Sequence, residues 1–450
     1  MRQSQKTETK ADCQGKIGME VQQYSGARSS AVSENNVRRD TWRLRERILS
    51  NKNLEQARKQ VRKNKGAAGI DGMTVQDLTG YLIEHGDELK AQLVAGIYRP
   101  KPVKRVEIPK PNVGMRKLGI PTVTDRTVQQ MVAQVLGPIY ERRFSDNSYG
   151  FRPKRSAHDA IQRCVDLYDQ GYHYVVDLDL KAYFDTVNHD MLMKFLKYEI
   201  TDEWTLRLIR KFLTSGVMNG QMFERSEQGT PQGGPISPLL ANVCLHELDK
   251  ELTRRGHEFV RYADDCNIFV KSRRAGERVL RSISTFLEKK LKLTVNQEKS
   301  RVVAATRMEF LGFSLWRGAS STKARPTKKA KQRIKTKLKE ITKRNRGTSL
   351  TQILDEIEAR IRGWLQYYST GSMKTFVKNL DKWLRSRIRQ LIWKRWKKLE
   401  TRIKELCRLG LSRKDAYTYT NTRKGIWRTA HSKTLTYALT NAVCKIKLEK

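Results

Sequence analysis

Closely paired cysteines are missing from this chain. Cys13, Cys164, Cys244, Cys266, Cys407 and Cys444 show neither zinc-site nor disulfide-framework spacing. Reduced thiols and a cytoplasmic setting are therefore expected. No apolar stretch approaches the roughly 20 residues that cross a bilayer, and the opening 36 residues lack the apolar core of a signal peptide. No membrane partner is expected. Acidic residues are scarce, 47 Asp and Glu against 90 Lys and Arg, leaving a net charge of +43. A globular chain this basic usually binds nucleic acid. There are no repeats of solenoid length, and 450 residues with 38% hydrophobic content can form two or more cores.

Two acidic pairs stand inside apolar runs. In Phe259-Val260-Arg261-Tyr262-Ala263-Asp264-Asp265-Cys266-Asn267-Ile268-Phe269-Val270, an acidic pair lies between two β-prone apolar runs, which predicts a hairpin with two carboxylates at its tip. A purely structural turn would use Gly or Pro and avoid the mutual repulsion. A divalent cation removes that repulsion. Upstream, Tyr172-His173-Tyr174-Val175-Val176-Asp177-Leu178-Asp179-Leu180 reads as a buried strand interrupted by Asp177 and Asp179, two apart and so on one face. Only one of the two need reach the hairpin.

Strand, aspartate, then Lys181-Ala182-Tyr183-Phe184-Asp185, followed later by Tyr-Ala-Asp-Asp, resembles motifs A and C of reverse transcriptases. The resemblance implies that Asp179, Asp264 and Asp265 are catalytic metal ligands for two Mg²⁺ ions, with Mn²⁺ able to substitute. Two such ions about 3.5–4 Å apart activate a primer 3′-hydroxyl and stabilise the pyrophosphate leaving group. Mg²⁺ favours carboxylate and phosphate oxygens over His or Cys.

Further motifs follow in the family's order. Gly229-Thr230-Pro231-Gln232-Gly233-Gly234-Pro235 resembles motif B, a loop before a helix from Leu239 to Leu252 in which Gln232 would contact the incoming nucleotide or template. Glu107 to Pro111 and Gly114 to Pro121 resemble the fingers hairpin, with Lys110 and Arg116 on the deoxynucleoside triphosphate. By the same likeness Phe184 crowds the sugar 2′-position, Arg152 in Ser148-Tyr149-Gly150-Phe151-Arg152-Pro153 guides the template backbone, and Lys299 donates a proton to pyrophosphate. His158 is expected to pack or cap. Phe310-Leu311-Gly312-Phe313 matches a short strand closing the palm.

The two ends narrow the family. Asn64 to Gly72 resembles the extra N-terminal block of non-retroviral enzymes, and Ile361-Arg362-Gly363-Trp364-Leu365-Gln366-Tyr367-Tyr368 resembles the maturase-specific domain X. Together they look like a group II intron-encoded reverse transcriptase and maturase of the compact bacterial type, lacking the endonuclease with its paired Cys and His.

The basic charge is uneven. Residues 317–450 hold 37 Lys and Arg against 9 Asp and Glu, a surplus of 28, and five of the eight tryptophans. Helical periodicity persists there: Ile334, Leu338 and Ile341; Ile353, Ile357, Ile361, Trp364 and Leu365; then Leu380, Trp383, Leu384, Leu391 and Ile392. A three-helix thumb is expected, with Lys331, Arg333, Lys335, Lys337 and Lys339 on its surface, of which Lys331 and Lys335 are the clearest nucleic-acid contacts. Arg423 and Lys424 mark a second basic patch, which by family position would bind target DNA.

The expected fold is α+β, a right-hand polymerase. Its expected divisions are a disordered extension over 1–40, fingers and palm over 41–316, a thumb and domain X over 317–398, and a small basic DNA-binding domain over 399–450. The expected activity is RNA-directed DNA synthesis from an RNA template with a DNA or RNA primer. Binding of the group II intron RNA would assist splicing and retrohoming. Two rivals share the resemblance: a splicing maturase with a vestigial polymerase site, and a domesticated relative in defence or repair.

Overall fold

The computed structural model describes Thr41 and residues 43–109, 115–220, 222–230, 233–318 and 321–440. The expectation of disorder over 1–40 lies outside these residues, as do Lys110 and Gln232. Arg116 is placed by its backbone alone.

Strands β1 (Val103–Pro109), β2 (Met115–Ile120), β3 (Tyr174–Leu178), β4 (Val217–Asn219), β5 (Met222–Glu224), β6 (Glu258–Tyr262), β7 (Asp265–Val270), β8 (Arg301–Ala304), β9 (Phe313–Arg317) and β10 (Thr322–Pro326) form three sheets among the described residues. The central sheet, ordered β6-β7-β3-β8, is antiparallel throughout and forms the palm. A second, ordered β2-β1-β4-β5, forms the fingers. Its β1 runs parallel to β4, so the fingers hairpin is stitched to a segment about a hundred residues later.

Period-two alternation divides the palm sheet cleanly. Val176, Leu178, Phe259, Cys266 and Ile268 face one way, into a large core shared with Leu240, Leu245, Leu248 and Ile283 of the flanking helices Ser237–Arg254 and Arg273–Phe286. Val175, Val260 and Phe269 face the other way, against Ala160, Ile161, Cys164 and the turn at Phe310 and Phe313. Asp177 shares this second face with its ladder partner Asn267.

Three helices, Lys328–Ile341, Leu350–Tyr368 and Lys374–Arg395, make the thumb, with Ile334, Leu338, Ile353, Ile357, Ile361, Leu380 and Leu384 buried between them. Ser349 caps the second with a reciprocal bond to Gln352. The apolar cluster does not stop at 398. Leu406, Ala416, Leu435 and Leu439 join it, so the expected boundary there is not a break in the packing. His158 Nε2 meets the Tyr367 carbonyl at 2.6 Å, tying a helix on the palm to the thumb, in keeping with a packing role.

Two local expectations need correction. The short strand expected over Phe310 to Phe313 is a tight reversal: Phe310 and Phe313 exchange backbone bonds of 2.9 and 2.8 Å around Leu311 (φ 50) and Gly312 (φ 80). Positive φ at both central residues is the type I′ pattern, and Leu at such a position gives no signal in sequence. Arg152 does not reach toward template. It is buried, pairs with the Glu141 carboxylate at 2.8–3.1 Å and donates to the Ser145 and Ser148 carbonyls. A guanidinium so engaged is a structural brace for the loop that precedes the palm.

Candidate active site

The carboxylate pair sits where β6 turns into β7. Tyr262 pairs with Asp265 across the hairpin, leaving Ala263 and Asp264 as a two-residue turn. Ala263 has φ 58, a left-handed position usually given to Gly. Asp264 therefore occupies the turn, whereas Asp265 opens the strand.

Register brings the third carboxylate beside them. Leu178 pairs with Cys266 and Asp177 with Asn267, so one more step of the same ladder sets Asp179 opposite Asp265. Directly opposed residues on one sheet face have Cβ atoms about 5 Å apart. Asp177, Asp179, Asn267 and Asp265 thus share a face at its open edge. Burial first, then the Asp177, Asp264 and Asp179 carboxylates, pushes Asp265 up to about 7. Asp177 is likewise raised by burial, opposed by Arg301 and reinforced by Asp179.

Each neighbour of Asp179 has a defined job. Asn296 Nδ2 donates to Asp179 Oδ2 at 2.9 Å, and Lys299 Nζ lies 3.5 Å from the same oxygen. The Asn296 amide bonds the Asp179 carbonyl at 2.9 Å, and Ser300 Oγ accepts from the Asp179 amide at 3.1 Å. These four contacts all fall on Asp179. Among the described residues no three Asp, Glu, His or Cys side chains stand close enough to hold an ion. The donor chemistry nevertheless suits a divalent cation, because an all-oxygen set with a strongly raised carboxyl gains most from an added positive charge.

Beneath the turn lies a buried brace that the sequence reading missed. Arg261 faces the main core, wholly excluded from solvent, with Nε and Nη2 on the Asp249 carboxylate at 2.7 and 2.6 Å. Its Nη1 donates to Asn242 Oδ1 at 3.0 Å and to the Ala263 carbonyl at 2.9 Å. Asn242 in turn donates to the Gly150 carbonyl at 2.9 Å. Gly150 lies so close that a Cβ there would stand 2.3 Å from the Ala263 amide nitrogen. The available signal was a charge inside an apolar strand, since an arginine between Val260 and Tyr262 needs a buried partner.

The motif B loop packs on the segment that follows Asp179. Thr230 N bonds the Phe184 carbonyl at 2.6 Å, and Gly229 has φ 89 with the Phe184 and Asp185 carbonyls 2.9 Å from where a Cβ would sit. Phe184 itself is half-buried, edge-on to Tyr183. Gly233 and Gly234 approach Gly119 and Gln129, so the close approach these glycines permit is to the fingers.

Residues 108–315 match the family described as Reverse transcriptase (RNA-dependent DNA polymerase), and residues 331–410 match the Group II intron, maturase-specific domain. Protein YkfC of Escherichia coli (strain K12) is 32% identical over 69% of this chain and 90% of its own length. The chain belongs to the group II intron reverse transcriptase and maturase family. Its similarity to the group II intron-encoded protein LtrA of Lactococcus lactis subsp. cremoris is 30% identity over 68% of this chain and 62% of the relative. A solved partial Cas6-RT-Cas1–Cas2 complex is similar at 24% identity, covering 57% of this chain and 43% of that one, with a TM-score of 0.37. The fold is the fingers and palm of a reverse transcriptase with a helical C-terminal region. No helix among the described residues is long and apolar enough to cross a membrane.

Proposed function

We propose that this chain copies RNA into DNA, with Asp179, Asp264 and Asp265 as the ligands of its divalent ions, and that it binds group II intron RNA to assist splicing and retrohoming. The observation carrying the polymerase reading is the ladder register that ends with Leu178 opposite Cys266, the step before Asp179 and Asp265. Reverse transcriptase domains generally use divalent metal ions, and the oxygen-only donor set favours Mg²⁺, with Mn²⁺ as a substitute. When bound, the ions would activate the primer 3′-hydroxyl and offset charge on the departing pyrophosphate.

The chain's own groups would do the rest. Lys299, 3.5 Å from Asp179 Oδ2, would carry a proton to pyrophosphate. Lys110 and Arg116 would hold the triphosphate, Gln232 the nascent pair, and Phe184 the sugar edge. The palm and fingers would extend over 41–316, with the thumb and domain X over 317–398. Lys331 and Lys335 on the thumb and Arg423 and Lys424 beyond it would follow the phosphate backbones of intron RNA, the template with its primer, and target DNA.

Primer extension by the purified chain on an RNA template with Mg²⁺ tests this reading. Deoxynucleotide-dependent product that is lost in Asp264→Asn is the expected result. Wild-type protein that binds RNA at low salt yet makes no product would favour the non-enzymatic maturase.

A further inference from the structure

A cleft of about 510 Å³ opens where the thumb meets the C-terminal helices. On one side Trp427, 42% exposed, presents its indole from the segment Ile426–Ala430. Across the cleft Trp383 carries two cations over its ring, Lys335 Nζ at 5.4 Å and the Arg387 guanidinium at 5.9 Å from the centroid. Arg387 is fixed there by bonds to Thr342 Oγ1 at 3.0 Å and the Thr342 carbonyl at 2.8 Å. Lys339 completes the cationic lining. Gln390 also lines the cleft and is 3% exposed.

We infer that this cleft receives one unstacked nucleobase of a bound single strand. An exposed indole gives the base a face to stack on, and Lys335 and Lys339 meet its phosphate. The volume lies in the range of small-ligand sites. A base held in a duplex cannot enter, so the cleft distinguishes strands with free bases from paired ones. It does so in a region whose remaining charge would serve either. The inference rests on the nucleic-acid reading above and adds a single-strand specificity to it.

Fluorescence anisotropy of the full chain, at one fixed salt concentration, tests it with three labelled probes: a short oligoadenylate as RNA, the same strand as DNA, and a blunt RNA duplex of equal length. Trp427→Ala is expected to weaken single-strand binding about 10-fold while leaving duplex binding unchanged, and Trp427→Phe to keep most of the wild-type affinity. Trp427→Leu, which keeps apolar bulk without an aromatic face, is expected to weaken the single strand at least about 3-fold. It carries the test alone should Trp427→Ala fail to fold. Loss for RNA and DNA alike assigns the cleft to the base itself; loss for RNA alone assigns it to RNA. Equal losses for single strand and duplex, or unchanged single-strand affinity, would overturn the inference. Wild-type protein that binds none of the probes would instead sink the nucleic-acid reading.

Discussion

Arg261 closes on Asp249 at 2.6 and 2.7 Å with both side chains wholly buried, and the same guanidinium holds the Ala263 carbonyl of the Ala263-Asp264 turn. The ion pair lies on the opposite face of the palm sheet from the carboxylates. It acts on them through the backbone.

Breaking that pair from one side leaves a buried unpaired charge, which costs about 3–5 kcal/mol. Arg261→Met is therefore expected to lower unfolding free energy by that amount in urea titrations. Asp249→Leu combined with Arg261→Met should recover much of the loss in stability. Polymerase turnover in the double variant should stay depressed, because the Ala263 carbonyl has lost its donor. Full recovery of both would mean that the turn does not depend on the brace.

Removing a proposed metal ligand should separate synthesis from binding. Asp264→Asn and Asp265→Asn are each expected to reduce primer extension by about three orders of magnitude or more while RNA affinity stays within about twofold. With a chelator present, Asp265→Asn should also raise the melting temperature, since burial and three neighbouring carboxylates already disfavour its charge. A lowered melting temperature would contradict the described electrostatics.

Reversing thumb charge should do the opposite. Lys331→Glu, Lys335→Glu and Lys337→Glu together are expected to weaken RNA binding and flatten its log–log salt slope by about 2–3, at roughly 0.7–0.9 per phosphate contact. Primer extension at saturating template should persist. Equal damage to binding and chemistry in both variant sets would mean that the two surfaces are not separate.

Acid should destabilise the palm through its histidines. Burial pushes His246 down to about 4, and His189 and His257 also shift downward, burial being the largest cause in each. The folded values lie below those of the unfolded chain, so the unfolded state takes up protons first. Stability from these groups is full above about pH 6.5 and declines as pH falls toward 4, by up to about 3 kcal/mol for His246. Urea unfolding from pH 7 to 4.5 should show the decline, and His246→Asn should reduce it.

How much of this was legible depended on whether a residue's role is local. Asp264 and Asp265 announced themselves, because acidic pairs between apolar runs demand a reason. The thumb helices were equally plain from Ile353, Ile357 and Ile361 recurring on one face. Arg152 misled because a motif gives its position, whereas its partner Glu141 is supplied only by folding. Asn296 and Ser300 were passed over for a similar reason: their target, Asp179, lies over a hundred residues upstream, and only the sheet brings them together.

The apolar cluster that runs from Ile334 to Leu439 bears on how such a protein can be dissected. Cutting the chain after the third thumb helix would strip cover from Leu391, Ile392 and Trp393 and leave an aggregation-prone stump rather than a freestanding polymerase. Assigning separate tasks to the tail therefore calls for exchanging its surface residues in place, with the interior left whole.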